Sequence, residues 1–215
     1  MPPFLLIINT VLDKVERRLT LWGAGSLLGI VLLLLVSAYV MPRFNAAFHG
    51  EQYSTLSKAP LDFENQYGVQ YRQLGPMLGY LTGLKGHLFF ILPLIFAFLF
   101  IAAVYIMYRR KLYEPMDALV MTLIITFSCT LFIPLISPGY TDTLSYFFLF
   151  LAFACTGSPF MCAITFALAM LNHESNVVLL PALILLAGKN NPQWGRFKYP
   201  LAALLLIISL IPLLW

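Results

Sequence analysis

Apolar residues run almost without interruption through seven stretches of this chain, with short polar groups between them. The stretches cover residues 21–41, 89–108, 118–136, 142–156, 158–171, 176–187 and 201–215. A helix needs about 20 apolar residues to cross a hydrocarbon core about 30 Å thick. The pattern predicts an all-α, polytopic membrane protein of about seven transmembrane helices, organised as one domain over residues 1–215. The fourth to sixth stretches are short for that thickness. They are expected either to extend into the polar turns or to pack as inner helices shielded by longer ones, and a re-entrant path is open to the sixth.

The connection over residues 42–87 is too long for a hairpin turn. It carries Phe44, Phe48, Tyr53, Phe63, Tyr67 and Tyr71 among polar residues, and from Tyr67 to Leu84 its spacing suits an amphipathic helix broken near Pro76. Such a helix lies along the interface with its tyrosines at headgroup level. It either closes the bundle or forms a lid over a lipid-linked substrate, with Arg72 and Arg43 supplying donors for phosphate.

Composition agrees with this pattern: of 215 residues, 60% are hydrophobic and 10% charged, more apolar surface than a soluble domain of this size needs. The formal charge of +4 is spread in short groups between the spans, which excludes a nucleic-acid footprint and suits an orientation signal. With the N-terminus inside, nine Lys and Arg residues fall on the inner side and four on the outer. Arg109-Arg110-Lys111 reads as part of that signal. The first residues, with Lys14, Arg17 and Arg18, resemble the n-region of a signal sequence, and Val36-Ser37-Ala38 mimics a cleavage site. The apolar stretch is too long for a usual h-region, so an uncleaved anchor is expected. Cys129, Cys155 and Cys162 all lie inside spans and read as core residues, not as a disulfide frame or zinc site.

This orientation places Glu51, Asp62, Glu64, Asp142 and Glu174 outside, together with His49, His87 and His173. Two of these groups are symmetric about Gly157. Asp142 lies fifteen residues before it, and His173 and Glu174 lie sixteen and seventeen after it. Two helical arms of that length each climb roughly 23–25 Å, returning the acid and the His-Glu pair to one depth. Asp142 also reads as an N-cap of the fourth span. Glu174 follows a long apolar run, so its carboxylate needs a partner, for which His173, Arg72 and Arg43 are candidates. His173 is a candidate for holding phosphate, ligating a metal with Asp142, or pairing with Glu174. The sequence contains neither His-Glu-x-x-His nor Gly-x-Ser-x-Gly, which leaves zinc and serine proteases little support. A transporter is disfavoured by the absence of repeats and of mid-span charges.

His49-Gly50-Glu51-Gln52-Tyr53, Pro60 and Tyr71-Arg72-Gln73-Leu74-Gly75-Pro76 resemble the first outer loop of bacterial GT-C-type membrane glycosyltransferases. Gly139-Tyr140-Thr141-Asp142, Asn172-His173-Glu174-Ser175 and Pro181 are similar to later elements of that superfamily, as is the order of one span, a long loop and six more spans. The family's loop acid is His49 here, and the Arg of its Arg-Glu pair is His173. Family members usually continue past the position of Trp215, which suggests a short homologue, a fragment or one subunit of a larger membrane assembly.

The resemblance implies sugar transfer from a polyprenyl-phosphate carrier to an acceptor hydroxyl at the outer face of a bacterial inner or plasma membrane. A carboxylate takes the acceptor proton, and a cation, from side chains or a divalent metal, stabilises the leaving phosphate. Glu51, Asp142 and Glu174 are the catalytic candidates, with Glu51 the first choice as base. Arg72, His173, His49, Tyr53 and Arg43 are the substrate-binding candidates. The alternative is a non-catalytic membrane subunit or lipid-binding scaffold of the same fold.

Overall fold

The computed structural model describes residues 3–40, 48–62, 72–111, 113–137 and 139–190, which are helical throughout apart from turns and contain no strand. The first helix, α1 (Pro3–Val40), is two helices joined at Thr20, whose φ of 65° and ψ of 163° break the hydrogen-bond ladder. The expected first span starts just beyond this break. The stretch ahead of it, which resembles a signal n-region in sequence, is also helical.

The long connection after α1 contributes α2 (Phe48–Leu56) and α3 (Leu74–Thr82), followed by a 3-10 turn over Gly86–Phe90. The expected helix over 67–84 is present in its described part over Leu74–Thr82 and is corrected at Pro76. Residues 67–71 lie outside the described residues, and Pro76 sits in the first turn of α3 without breaking it. Proline is tolerated there because the first amides of a helix have no intrahelical acceptor. Gly83, with φ of 76°, ends α3 in the left-handed conformation that glycine adopts without Cβ strain.

The second stretch becomes α4 (Ile91–Arg110), the central helix of the fold. Against it, the second half of α1 buries Leu32 and Val36 among Ala97, Phe100, Ile101 and Val104 of α4 and Leu131 and Leu135 farther along. The close approach needs small residues on α1: a Cβ on Gly25 would lie 2.7 Å from the Ile106 side chain.

The third stretch is not one helix. It divides into α5 (Pro115–Thr126) and α6 (Cys129–Ile136). At the division the Ser128 hydroxyl donates to the Ile125 carbonyl at 2.7 Å, a local bond that competes with helix continuation. The fourth and fifth stretches form the hairpin of α7 (Asp142–Ala154) and α8 (Pro159–Asn172). The sixth begins as a 3-10 segment, Glu174–Leu179, and continues as α9 (Leu180–Asn190). A cluster of Ala152, Cys162, Phe166, Met170, Leu183 and Ala187 binds α7, α8 and α9 together. The seventh stretch, 201–215, lies outside the described residues.

Two helical segments are long and apolar enough to cross a membrane, Leu6–Tyr39 and Gly86–Arg110. Their surroundings differ. The second is mostly buried inside the protein, whereas the first leaves Trp22, Leu34 and Tyr39 more than 60% exposed. Helices α5, α7 and α8 are apolar but shorter.

Candidate functional site

The hairpin of α7 and α8 closes at its open end through side-chain amides. The Asn172 Nδ2 donates to the Thr141 carbonyl at 2.8 Å, and the Asn176 Nδ2 donates to the Ser145 hydroxyl at 2.6 Å and to the Ala169 carbonyl at 2.9 Å. These buried bonds bring the start of α7 beside the end of α8, so Asp142 and the His173-Glu174 pair share one end of the bundle. Asp142 is the first residue of α7 and Thr141 occupies the N-cap, without a side-chain capping bond. The sequence expectation of an Asp142 cap is corrected by that one position. Its carboxylate still sits at the favourable end of the helix dipole.

The long connection between α1 and α4 covers this end. A Cβ on Gly139 would lie 2.8 Å from the Gly50 Cα and 2.7 Å from the Phe90 ring. A Cβ on Gly75 would lie 2.5 Å from the Thr141 Cγ2 and 3.6 Å from the Asn172 Oδ1. Two glycines therefore allow α2 and α3 to seat directly on the hairpin. Gly75→Ala is expected to lower stability by about 1–3 kcal/mol through overpacking. Gly188→Ala, where a Cβ meets nothing within 4 Å, is expected to leave the unfolding midpoint in detergent unchanged or slightly raised.

Arg72 enters the closed end between these elements. Its Nη1 donates to the Tyr53 hydroxyl at 3.3 Å, and its Nε lies 3.6 Å from the Glu174 Oε2. The second distance is an ion pair too long for a hydrogen bond. Tyr53 is fully buried, stacked on Phe89 at 6.4 Å between ring centroids. Burial raises its phenol above the usual range, and the Asp142 carboxylate adds to the rise, so Tyr53 is a neutral donor and acceptor near pH 7. The His173 Nδ1 is 2.8 Å from the Ser175 hydroxyl. Burial, with Arg72 nearby, pushes the imidazole below its ordinary range, so it is neutral at pH 7. Asp142 acts electrostatically on Tyr53, Arg72 and His173 together.

The structure thus brings together five sequence candidates: Tyr53, Arg72, Asp142, His173 and Glu174. Of the partners considered for Glu174, Arg72 is the one within ion-pair distance among the described residues. Glu51 lies exposed in the first turn of α2, one residue beyond the Gly50 contact. It is at the rim, and no hydrogen bond or ion pair joins it to the cluster among the described residues. Arg43 and the side chain of His49 lie outside the described residues. Sequence reasoning missed the amides of Asn172 and Asn176 and the glycines at 75 and 139. Two amides four residues apart at a helix end were the available signal.

Two acceptors in this cluster, the Asn172 Oδ1 and the Glu174 Oε2, are buried and make no hydrogen bond. Such groups carry a desolvation cost that a donor-bearing ligand relieves. Among the described residues no group of three or more His, Cys, Asp and Glu side chains is arranged to hold a metal ion. No protein-family model matches this chain, and neither a curated protein nor a solved structure is significantly similar to it.

Proposed function

We propose that the chain is a multi-pass membrane protein of the GT-C type, transferring a sugar from a polyprenyl-phosphate carrier to an acceptor hydroxyl at the outer face. One observation carries this reading. A guanidinium from the long connection, two carboxylates and buried acceptors that make no hydrogen bond converge at one end of a helical bundle. The bare apolar face of α1 supports the membrane setting, and the excess of Lys and Arg at the opposite end supports an inside N-terminus. In the proposed multi-pass arrangement α5 and α6 together make the third crossing.

Arg72 offers a fork of donors to the carrier phosphate and offsets the charge that develops on it as the glycosidic bond breaks. Asp142, beside Arg72 at the start of α7, or Glu51 at the rim takes the acceptor proton. Glu174 holds Arg72 in place, and the Asn172 Oδ1 accepts from a sugar hydroxyl. The second reading, a non-catalytic subunit or lipid-binding scaffold, is favoured by the engagement of Arg72 with Tyr53 and Glu174, which gives the cluster a purely structural task.

Transfer from a polyprenyl-phosphate sugar by the purified full chain separates the two. Glu51→Gln, Asp142→Asn, Glu174→Gln and Arg72→Ala are compared at equal folded fraction. Loss of about 10²- to 10⁴-fold in the variant lacking the base, with a comparable loss on removing Arg72, is the expected result. Full activity in all three amide variants would exclude the proposed site.

A further inference from the structure

The opposite end of the bundle carries a surface that sugar transfer does not use. Residues 3–19 form the helical segment ahead of the break at Thr20. Asn9 accepts from the Met116 amide at 3.0 Å, and its Nδ2 lies 3.4 Å from the Glu114 carboxylate, so it meets the start of α5. Glu16 meets Arg109 and Tyr105, and Gly25 meets Ile106 and Ala102, all on α4. From residue 16 to 25 an unbroken helix would advance about 13 Å, whereas the contacted positions on α4 shift by about 5 Å. The segment therefore leaves the axis of α4 at Thr20 and crosses the connection between α4 and α5.

Its free face combines two characters. Phe4, Ile7 and Val11 are exposed apolar residues on its first half, and Lys14, Arg17 and Arg18 are exposed cations on its second. Arg110 and Lys111, also exposed, adjoin it from the end of α4. Asp13 pairs with Arg17 at 2.6 Å, but Lys14, Arg18, Arg110 and Lys111 have no acidic partner among the described residues. The guanidinium of Arg110 lies 4.9 Å from the ring centroid of exposed Trp22. A tryptophan of this kind, just inside the break, belongs at headgroup level.

We propose that segment 3–19, with Arg110 and Lys111, is a membrane-surface helix that recognises anionic phospholipid headgroups. This rests on the membrane setting proposed above and not on sugar transfer. Apolar side chains beside unpaired cations on one helix suit insertion at the headgroup and acyl boundary, a combination that an acidic peptide or nucleic acid does not require. The break at Thr20 turns a continuous helix into a crossing part and a surface part.

The test uses the full chain in nanodiscs of phosphatidylcholine and phosphatidylglycerol, with retained lipids counted by native mass spectrometry. The wild type is expected to enrich phosphatidylglycerol about fivefold over the bulk ratio, the effect of a single well-placed cation. The quadruple variant Lys14→Gln, Arg18→Gln, Arg110→Gln and Lys111→Gln is expected to return that ratio to about one. Salt at about 0.5 M is expected to do the same to the wild type, which keeps a readout if the variant does not fold. Equal enrichment in wild type and variant, or enrichment insensitive to salt, overturns the proposal. Insertion of the wild type without enrichment overturns the headgroup site alone, whereas failure to insert overturns the membrane setting.

Discussion

Glu16→Ala is expected to destabilise the protein by about 3 kcal/mol, the penalty for removing one partner of a largely buried ion pair. Glu16 accepts from Arg109 through both oxygens, Nε to Oε1 at 2.7 Å and Nη2 to Oε2 at 2.7 Å, and from the Tyr105 hydroxyl at 2.6 Å. Their side chains are only 19% and 10% exposed, so water replaces little of what the carboxylate supplied. The substitution leaves a guanidinium without its counter-charge and a buried phenol without its acceptor, both costly in a low-dielectric setting. Glu16→Gln keeps one acceptor and loses the charge, so an intermediate loss is expected. Asp13→Ala provides the comparison. It breaks an ion pair of similar length whose side chains are 79% and 41% exposed, for which less than about 1 kcal/mol is expected. Unfolding midpoints in detergent give the order; equal losses for Glu16→Ala and Asp13→Ala would show that the buried network contributes nothing special.

Gly139→Ala is expected to cost about 3 kcal/mol and to loosen the closed end of the bundle. Gly139 has φ of 94°, where a Cβ is strained by about 1–2 kcal/mol. The new methyl would also meet the Gly50 backbone at 2.8 Å and the Phe90 ring at 2.7 Å, adding about 1–3 kcal/mol of overpacking. A backbone atom yields less readily than the tip of a flexible side chain, so α2 must move. Tyr53 rides on α2, and its hydroxyl holds Arg72, so the displacement reaches the polar cluster. Proteolysis of the connection between α1 and α3 provides a second readout, with faster cleavage expected in the variant. Stability and cleavage rate equal to wild type would show that α2 does not depend on the Gly139 contact.

The polar cluster was only partly legible in sequence. Asp142, His173 and Glu174 stood out because each interrupts an apolar run, and an isolated charge there needs a partner. Arg72 entered through the loop resemblance and through the need for a cation. Its distance from Glu174 depends on how α3 packs on the hairpin, which glycines 75 and 139 permit and no local pattern encodes. The Pro76 expectation failed because proline breaks a helix only beyond its first turn, and where the first turn falls depends on packing. The single helix expected for the third stretch failed at Ser128 for a local reason, since one side-chain bond to the Ile125 carbonyl competes with the ladder.

Apolar periodicity by itself determined the helical class, most helix positions and the two polar ends, because burying apolar side chains is a local, roughly additive requirement. The Asn172 and Asn176 latches and the meeting of Tyr53, Arg72 and Glu174 were decided by tertiary structure. They depend on distances between residues far apart in the chain, and those distances are set by how closely glycines let helices approach and which buried polar groups must be satisfied.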